Sequence, residues 1–157
     1  MTTQSTETII FNGKELDTYT LPLNEYPNLP KFCSITSLNR RGYCGTWEVR
    51  NNQLFLVKLF GHIAHPTKFE TTYHSRYNFD TEEFEQFAKE NPIPIEIDIK
   101  YLFPDTPSDG VLADWFTGDI NINQGEMIFR GYNNSYEKYL KLSFENGKLI
   151  NEKIIGA

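Results

Sequence analysis

The chain has 157 residues, a formal net charge of −6, two cysteines and 15% aromatic side chains. One domain spanning 1–157 is expected, with enough chain to bury a core without a disulfide or metal staple. No apolar run approaches the ~18 residues of a membrane-spanning helix, Met1–Thr8 lacks a signal-peptide core, and the aromatics argue against disorder, so the expectation is a cytoplasmic globular domain.

The first elements are two strands within Glu7 to Leu21, split at Asn12-Gly13. The Pro-containing stretch Leu21 to Lys31 reads as a long surface connection. Thr46 to Arg50 alternates, Asn51-Asn52 tolerates the positive φ of a tight turn, and Gln53 to Phe60 continues apolar. A two-residue loop there pairs Val49 with Leu54 and Trp47 with Leu56, which puts one apolar face inward.

Asp80-Thr81 followed by Glu82-Glu83 is an N-cap with acids in the first turn, where the helix dipole favours them. Phe84 and Phe87-Ala88 form a stripe and Asn91-Pro92 a stop, so a helix is expected at about 81–90. Ile93 to Leu102 alternates as a strand, which starts late or lies at an edge because Pro94 cannot donate to a ladder. Val111 to Ile122 reads as a strand broken near Gly118, and Glu126 to Tyr132 as another. The run Tyr136 to Ile155 is a hairpin around Asn146-Gly147. A three-residue loop, Glu145-Asn146-Gly147, would set Leu140, Leu142, Phe144, Ile150 and Ile154 on one face, with Gly147 left-handed. The predicted class is α+β: an antiparallel-dominated sheet or partly closed barrel of roughly seven to nine strands, with one main helix.

Charge is unevenly spread. Asp80 to Asp119 holds eleven acids, opposed only by Lys89 and Lys100. Such a field repels nucleic acid and anionic lipid and attracts a basic partner, although a solvated face is the simpler reading. The candidate partner-binding residues are Glu82, Glu85, Asp105, Asp109, Asp114 and Trp115.

Chemistry is harder to find. His62, His65 and His74 cluster within thirteen positions, but in an extended segment His62 and His65 point to opposite faces, so no metal site is expected. Cys33 and Cys44 lack a C-x-x-C pattern and read as free, buried thiols. There is no G-x-S-x-G, phosphate loop or dinucleotide fingerprint, hence no catalytic residue and no cofactor is proposed. Two segments look more specified than packing demands, Arg40 to Glu48 and Gly110 to Gly118. Each sets glycines around a tryptophan, which packs a core or forms a recognition surface.

The strings G-Y-C-G-T-W-E (42–48) and A-D-W-F-T-G (113–118), with Tyr136-Glu137, resemble a group of small uncharacterised bacterial proteins. The resemblance covers about residues 38–155. It implies a bacterial, single-domain protein and brings no catalytic residues.

Three functions fit these observations. The first is a non-enzymatic protein-binding module, an immunity-type inhibitor using the acidic block against a basic toxin domain. The second is a small enzyme with a carboxylate or histidine-metal site. The third is a small-ligand binder in an aromatic-lined cavity.

Overall fold

The computed structural model describes residues 2–69 and 92–156. Nine strands form one mixed sheet: β1 (Glu7–Phe11), β2 (Lys14–Thr18), β3 (Tyr43–Arg50), β4 (Gln53–Phe69), β5 (Pro92–Asp98), β6 (Val111–Leu112), β7 (Gly118–Phe129), β8 (Ser135–Glu145) and β9 (Lys148–Gly156). Neighbours run β3-β1-β2-β7-β8-β9-β4-β5, with β3 also pairing β4 and β6 pairing β4. The path returns on itself, so the sheet is ring-like without being a barrel.

More than half of the described residues lie in strands, which makes the protein mostly β rather than α+β. Helical structure among the described residues is limited to a 3-10 turn at Pro22–Glu25 and one turn, α1 (Ile99–Leu102). The helix expected at about 81–90 lies outside the described residues.

Local turn chemistry builds the hairpins. Asn12-Gly13 (φ 52° and 75°), Asn51-Asn52 (50° and 59°) and Asn146-Gly147 (48° and 78°) each place two residues in the left-handed region. That backbone twist matches the twist of the flanking strands. At Asn51-Asn52 the register is the expected one, Val49 opposite Leu54 and Trp47 opposite Leu56.

The C-terminal hairpin differs from expectation. Its loop has two residues, with Glu145 opposite Lys148 and Phe144 opposite Leu149. A register shift then sets Ser143 against Asn151 and Leu140 against Ile154. The bulge, falling at Ile150, restores the parity that a three-residue loop would have supplied. Ile150 and Ile154 are exposed rather than inward.

Three further boundaries move. β5 stops at Asp98, whose carboxylate accepts a hydrogen bond from Lys100 N at 3.0 Å and caps α1. β7 runs unbroken to Phe129 by means of an irregularity at Gly125 (φ 73°), where a Cβ would collide with Glu137. The connection after Leu21 is anchored, since Leu23 is wholly buried.

The core lies inside the ring. Ile9, Trp47, Leu54, Leu56, Ile120, Ile122 and Leu142 are fully enclosed, with Tyr43, Phe116 and Phe144 beside them. β1 carries β3 in parallel, Ile9 opposite Trp47, so the first hairpin is bound to the second through the core.

Candidate partner-binding surface

β5 and the loop after it build a face that carries Glu96, Asp98, Asp105 and Asp109. Along β5, Ile95 and Ile97 pack inward while Glu96 and Asp98 are exposed. Asp98 stands opposite Phe60 of β4, and Phe60 is 50% exposed. Tyr101 on α1 is 52% exposed. Ile95, Glu96, Ile97, Asp98, Lys100 and Tyr101 line a shallow concavity of about 520 Å³. A second, of about 310 Å³, follows along the chain and is lined by Leu102, Phe103, Pro104, Asp105, Thr106, Pro107 and Val111. The pair thus combines apolar floor with acidic edge.

The loop is held in shape by its own backbone. Phe103 N donates to Ile99 O (2.9 Å), Thr106 N to Phe103 O (3.0 Å) and Gly110 N to Pro107 O (3.1 Å). Gly110 (φ 113°) lets the chain pass so close to β4 that a Cβ would stand 2.8 Å from Leu56 O. Arg50 ties the loop down from β3. Its guanidinium lies 4.1 Å from the Phe55 ring centroid, 2.5 Å from Glu48 and 3.3 Å from Asp109, and also donates to Asp109 O.

The sequence candidates separate accordingly. Asp105 and Asp109 share this loop, both exposed, but Asp109 is partly neutralised by Arg50. Asp114 is exposed in the turn after β6. Glu82 and Glu85 lie outside the described residues. Trp115 is half-buried in an aromatic cluster: it stacks on Phe103 (centroids 5.7 Å, planes 12°), meets Tyr26 and Trp47 edge-on, and donates to Pro22 O at 3.0 Å. It therefore supports the groove from beneath. Asp119 belongs elsewhere, on β7 with Ser143 (2.7 Å) and Lys141 (3.3 Å); the Ser143 hydroxyl leads in holding its carboxyl below the usual range.

One polar cluster escaped the sequence reading. Glu7 is wholly buried and accepts from Gly45 N (2.7 Å), Arg41 Nη2 (2.7 Å) and Trp47 Nε1 (3.3 Å). Burial pushes its carboxyl above the ordinary 4.5, outweighing the Arg41 charge and the backbone donor. This network explains the G-Y-C-G-T-W-E string. Gly45 is required because a Cβ there would stand 2.7 Å from Glu7 Oε1, and Trp47 supplies both core area and a donor. The signal was present: Glu7, Ile9 and Phe11 alternate on one face, so a charge sits on an inward stripe.

Cys44 lies beside this network, with Asn39 Nδ2 at 3.3 Å and Arg41 Nη2 at 3.5 Å from its sulfur. Burial raises its pKa more than Arg41 lowers it, which keeps the thiol protonated and poorly nucleophilic. Tyr43, its hydroxyl 2.5 Å from Asn24 Oδ1, is pushed up by burial as well. His62 packs edge-on to Phe60 at 5.3 Å. The side chains of His65 and His74 are outside the described set. Neither a family model, a curated protein nor a solved structure matches the chain.

Proposed function

We propose that the protein is a non-enzymatic binding module whose β5–β6 face docks a basic protein partner, as an immunity-type inhibitor of a toxin domain. The observation that carries this reading is the conjunction of exposed Phe60 and Tyr101 with Glu96, Asp98 and Asp105 along a stretch of chain that lines two successive concavities. Aromatic side chains supply the desolvated centre that binding energy concentrates in. The surrounding acids steer a cationic surface toward it and reject anionic competitors. Arg50 fixes the loop before the partner arrives, which lowers the ordering cost of association. Glu82 and Glu85 extend the acidic run in sequence.

The experiment is association of the purified protein with the product of the gene immediately upstream, followed across about 0.1 to 1 M salt, where the Debye length falls from ~10 to ~3 Å. Asp105→Asn with Asp109→Asn should slow association at low salt and flatten its salt dependence. Tyr101→Ala should act on dissociation instead. An on-rate indifferent to both salt and the carboxylates sinks the reading.

A further inference from the structure

We infer that the open seam between β2 and β7 is a binding site for a neutral, polyhydroxylated ligand, a short oligosaccharide. The two strands pair at one position only, Thr18 opposite Ile122. The seam is kept polar: Thr18 Oγ1 donates to Asn121 O (2.6 Å), and Asn121 N donates to Thr20 Oγ1 (3.0 Å). Beyond these bonds lies a cleft of about 330 Å³, lined throughout by uncharged residues, among them Tyr19, Asn121, Asn123, Asn133, Ser135 and Tyr139. That volume falls at the lower end of ordinary ligand pockets, ~300–1,000 Å³. A smaller chamber of about 90 Å³ shares Tyr19 and Asn133 with it and includes Arg41.

Two donors belonging to these linings are buried without a partner, Asn123 Nδ2 and Arg41 Nε. Folded chains rarely leave such groups unsatisfied, and a ligand oxygen is one group that would satisfy them. The chemistry of the walls selects the ligand. An asparagine amide offers a donor and an acceptor side by side, which matches a vicinal pair of hydroxyls. Tyrosine rings offer flat faces to the C–H surface of a pyranose. In the larger chamber no side chain is charged and none is aliphatic, so neither an ion nor an acyl chain finds a complement. The Arg41 charge is already matched by Glu7 at 2.7 Å. A peptide would need an apolar side-chain pocket, which these walls do not provide.

The test is a titration of the ¹⁵N-labelled full chain with lactose, cellobiose, maltose and N,N′-diacetylchitobiose, each to about 20 mM, high enough to see millimolar binding. A neutral tripeptide, Gly-Ser-Gly, serves as the competing probe. At least one disaccharide should shift the side-chain amides of Asn121, Asn123 and Asn133 saturably. Asn123→Ala should weaken that binding ten-fold or more, and Asn133→Ala, in the exposed turn before β8, should do the same if Asn123→Ala fails to fold. Asp105→Asn should leave it unchanged. No saturable shift with any of the four sugars overturns the inference. So do shifts that survive both asparagine substitutions, or that only the tripeptide produces.

Discussion

Replacing Trp47 by alanine is the most direct probe of how this fold is held. The side chain is fully enclosed, stands opposite Leu56 in β4 and Ile9 in β1, and meets Trp115 at 6.3 Å. A buried aromatic of this size removes ~150–250 Å² from water, worth about 4–6 kcal/mol at ~25 cal/mol per Å². Alanine keeps a fraction of that and leaves a cavity, so the expected cost is about 3–5 kcal/mol. Glu7 also loses its Nε1–H donor at 3.3 Å, which presses the value toward the upper end. For a chain of this length each kcal/mol moves Tm by roughly 2–4 °C, so the melt should fall by about 8–15 °C. Trp47→Phe separates the two contributions, since it keeps most of the area and loses the donor; its cost should be about 1–3 kcal/mol. Differential scanning calorimetry on the three proteins gives both numbers. A Trp47→Ala melt within a few degrees of wild type refutes the burial argument and returns Trp47 to the recognition surface.

The neighbouring polar network makes two more predictions. Because the Glu7 carboxyl sits above its ordinary 4.5, folding takes up a proton between that value and the folded one; the resulting stabilisation is full below 4.5 and is lost as pH rises. Glu7→Gln mimics the protonated form, so wild-type stability relative to this variant in urea should decline from about pH 4 to pH 8, and a flat or rising difference would exclude the reasoning. Gly45→Ala should cost about 1–3 kcal/mol by overpacking, because the added methyl meets Glu7 Oε1 at 2.7 Å and Trp47 Nε1 at 2.9 Å, neither of which has room to retreat; an unchanged urea midpoint would show that the network yields.

What the sequence revealed was local. Asn51-Asn52 announced both its turn and its register, because two left-handed asparagines and a period-two pattern fix a hairpin without outside help. The same logic misplaced the C-terminal bulge, since a three-residue loop and a two-residue loop with an extra residue at Ile150 give the same facing of Leu140 and Leu142. Pairings between distant segments were not legible. Nothing in Glu7 to Phe11 specifies a parallel neighbour some forty residues away, and Glu7 meets Arg41 only because β1 lies against β3. The acidic run was visible as composition, but its division into the exposed Asp105, the Arg50-bound Asp109 and, away from that loop on β7, the Lys141-bound Asp119 depends on contacts across strands. The amide cleft draws on residues 19–20, 121–123 and 133–139, three segments that mean nothing separately.

The two seams of the ring explain why both surfaces lie where they do. β4 and β9 meet at a single pair, Gln53 opposite Lys148, just as β2 and β7 meet only at Thr18 and Ile122. At the first seam the segment after β6 fills the gap. Leu54 N donates to Gly147 O, Ala113 N to Leu54 O and Gly147 N to Phe116 O, each at 2.8 Å, and Leu149 N donates to Asn52 O at 2.7 Å. Gly147 is required there, since a Cβ would stand 2.5 Å from Ala113 O. That closure uses the A-D-W-F-T-G string as a stitch, which accounts for its specification without any ligand. It also seats Trp115 beneath Phe103 and so braces the acidic loop from within. Among the described residues no comparable segment crosses the second seam, where the hydroxyls of Thr18 and Thr20 bridge to the backbone of Asn121 beside the Thr18–Ile122 pair. A ring with one stitched seam and one polar, open seam presents a braced acidic face with shallow concavities and an uncharged cleft, and these two surfaces suit a macromolecule and a small polar molecule respectively.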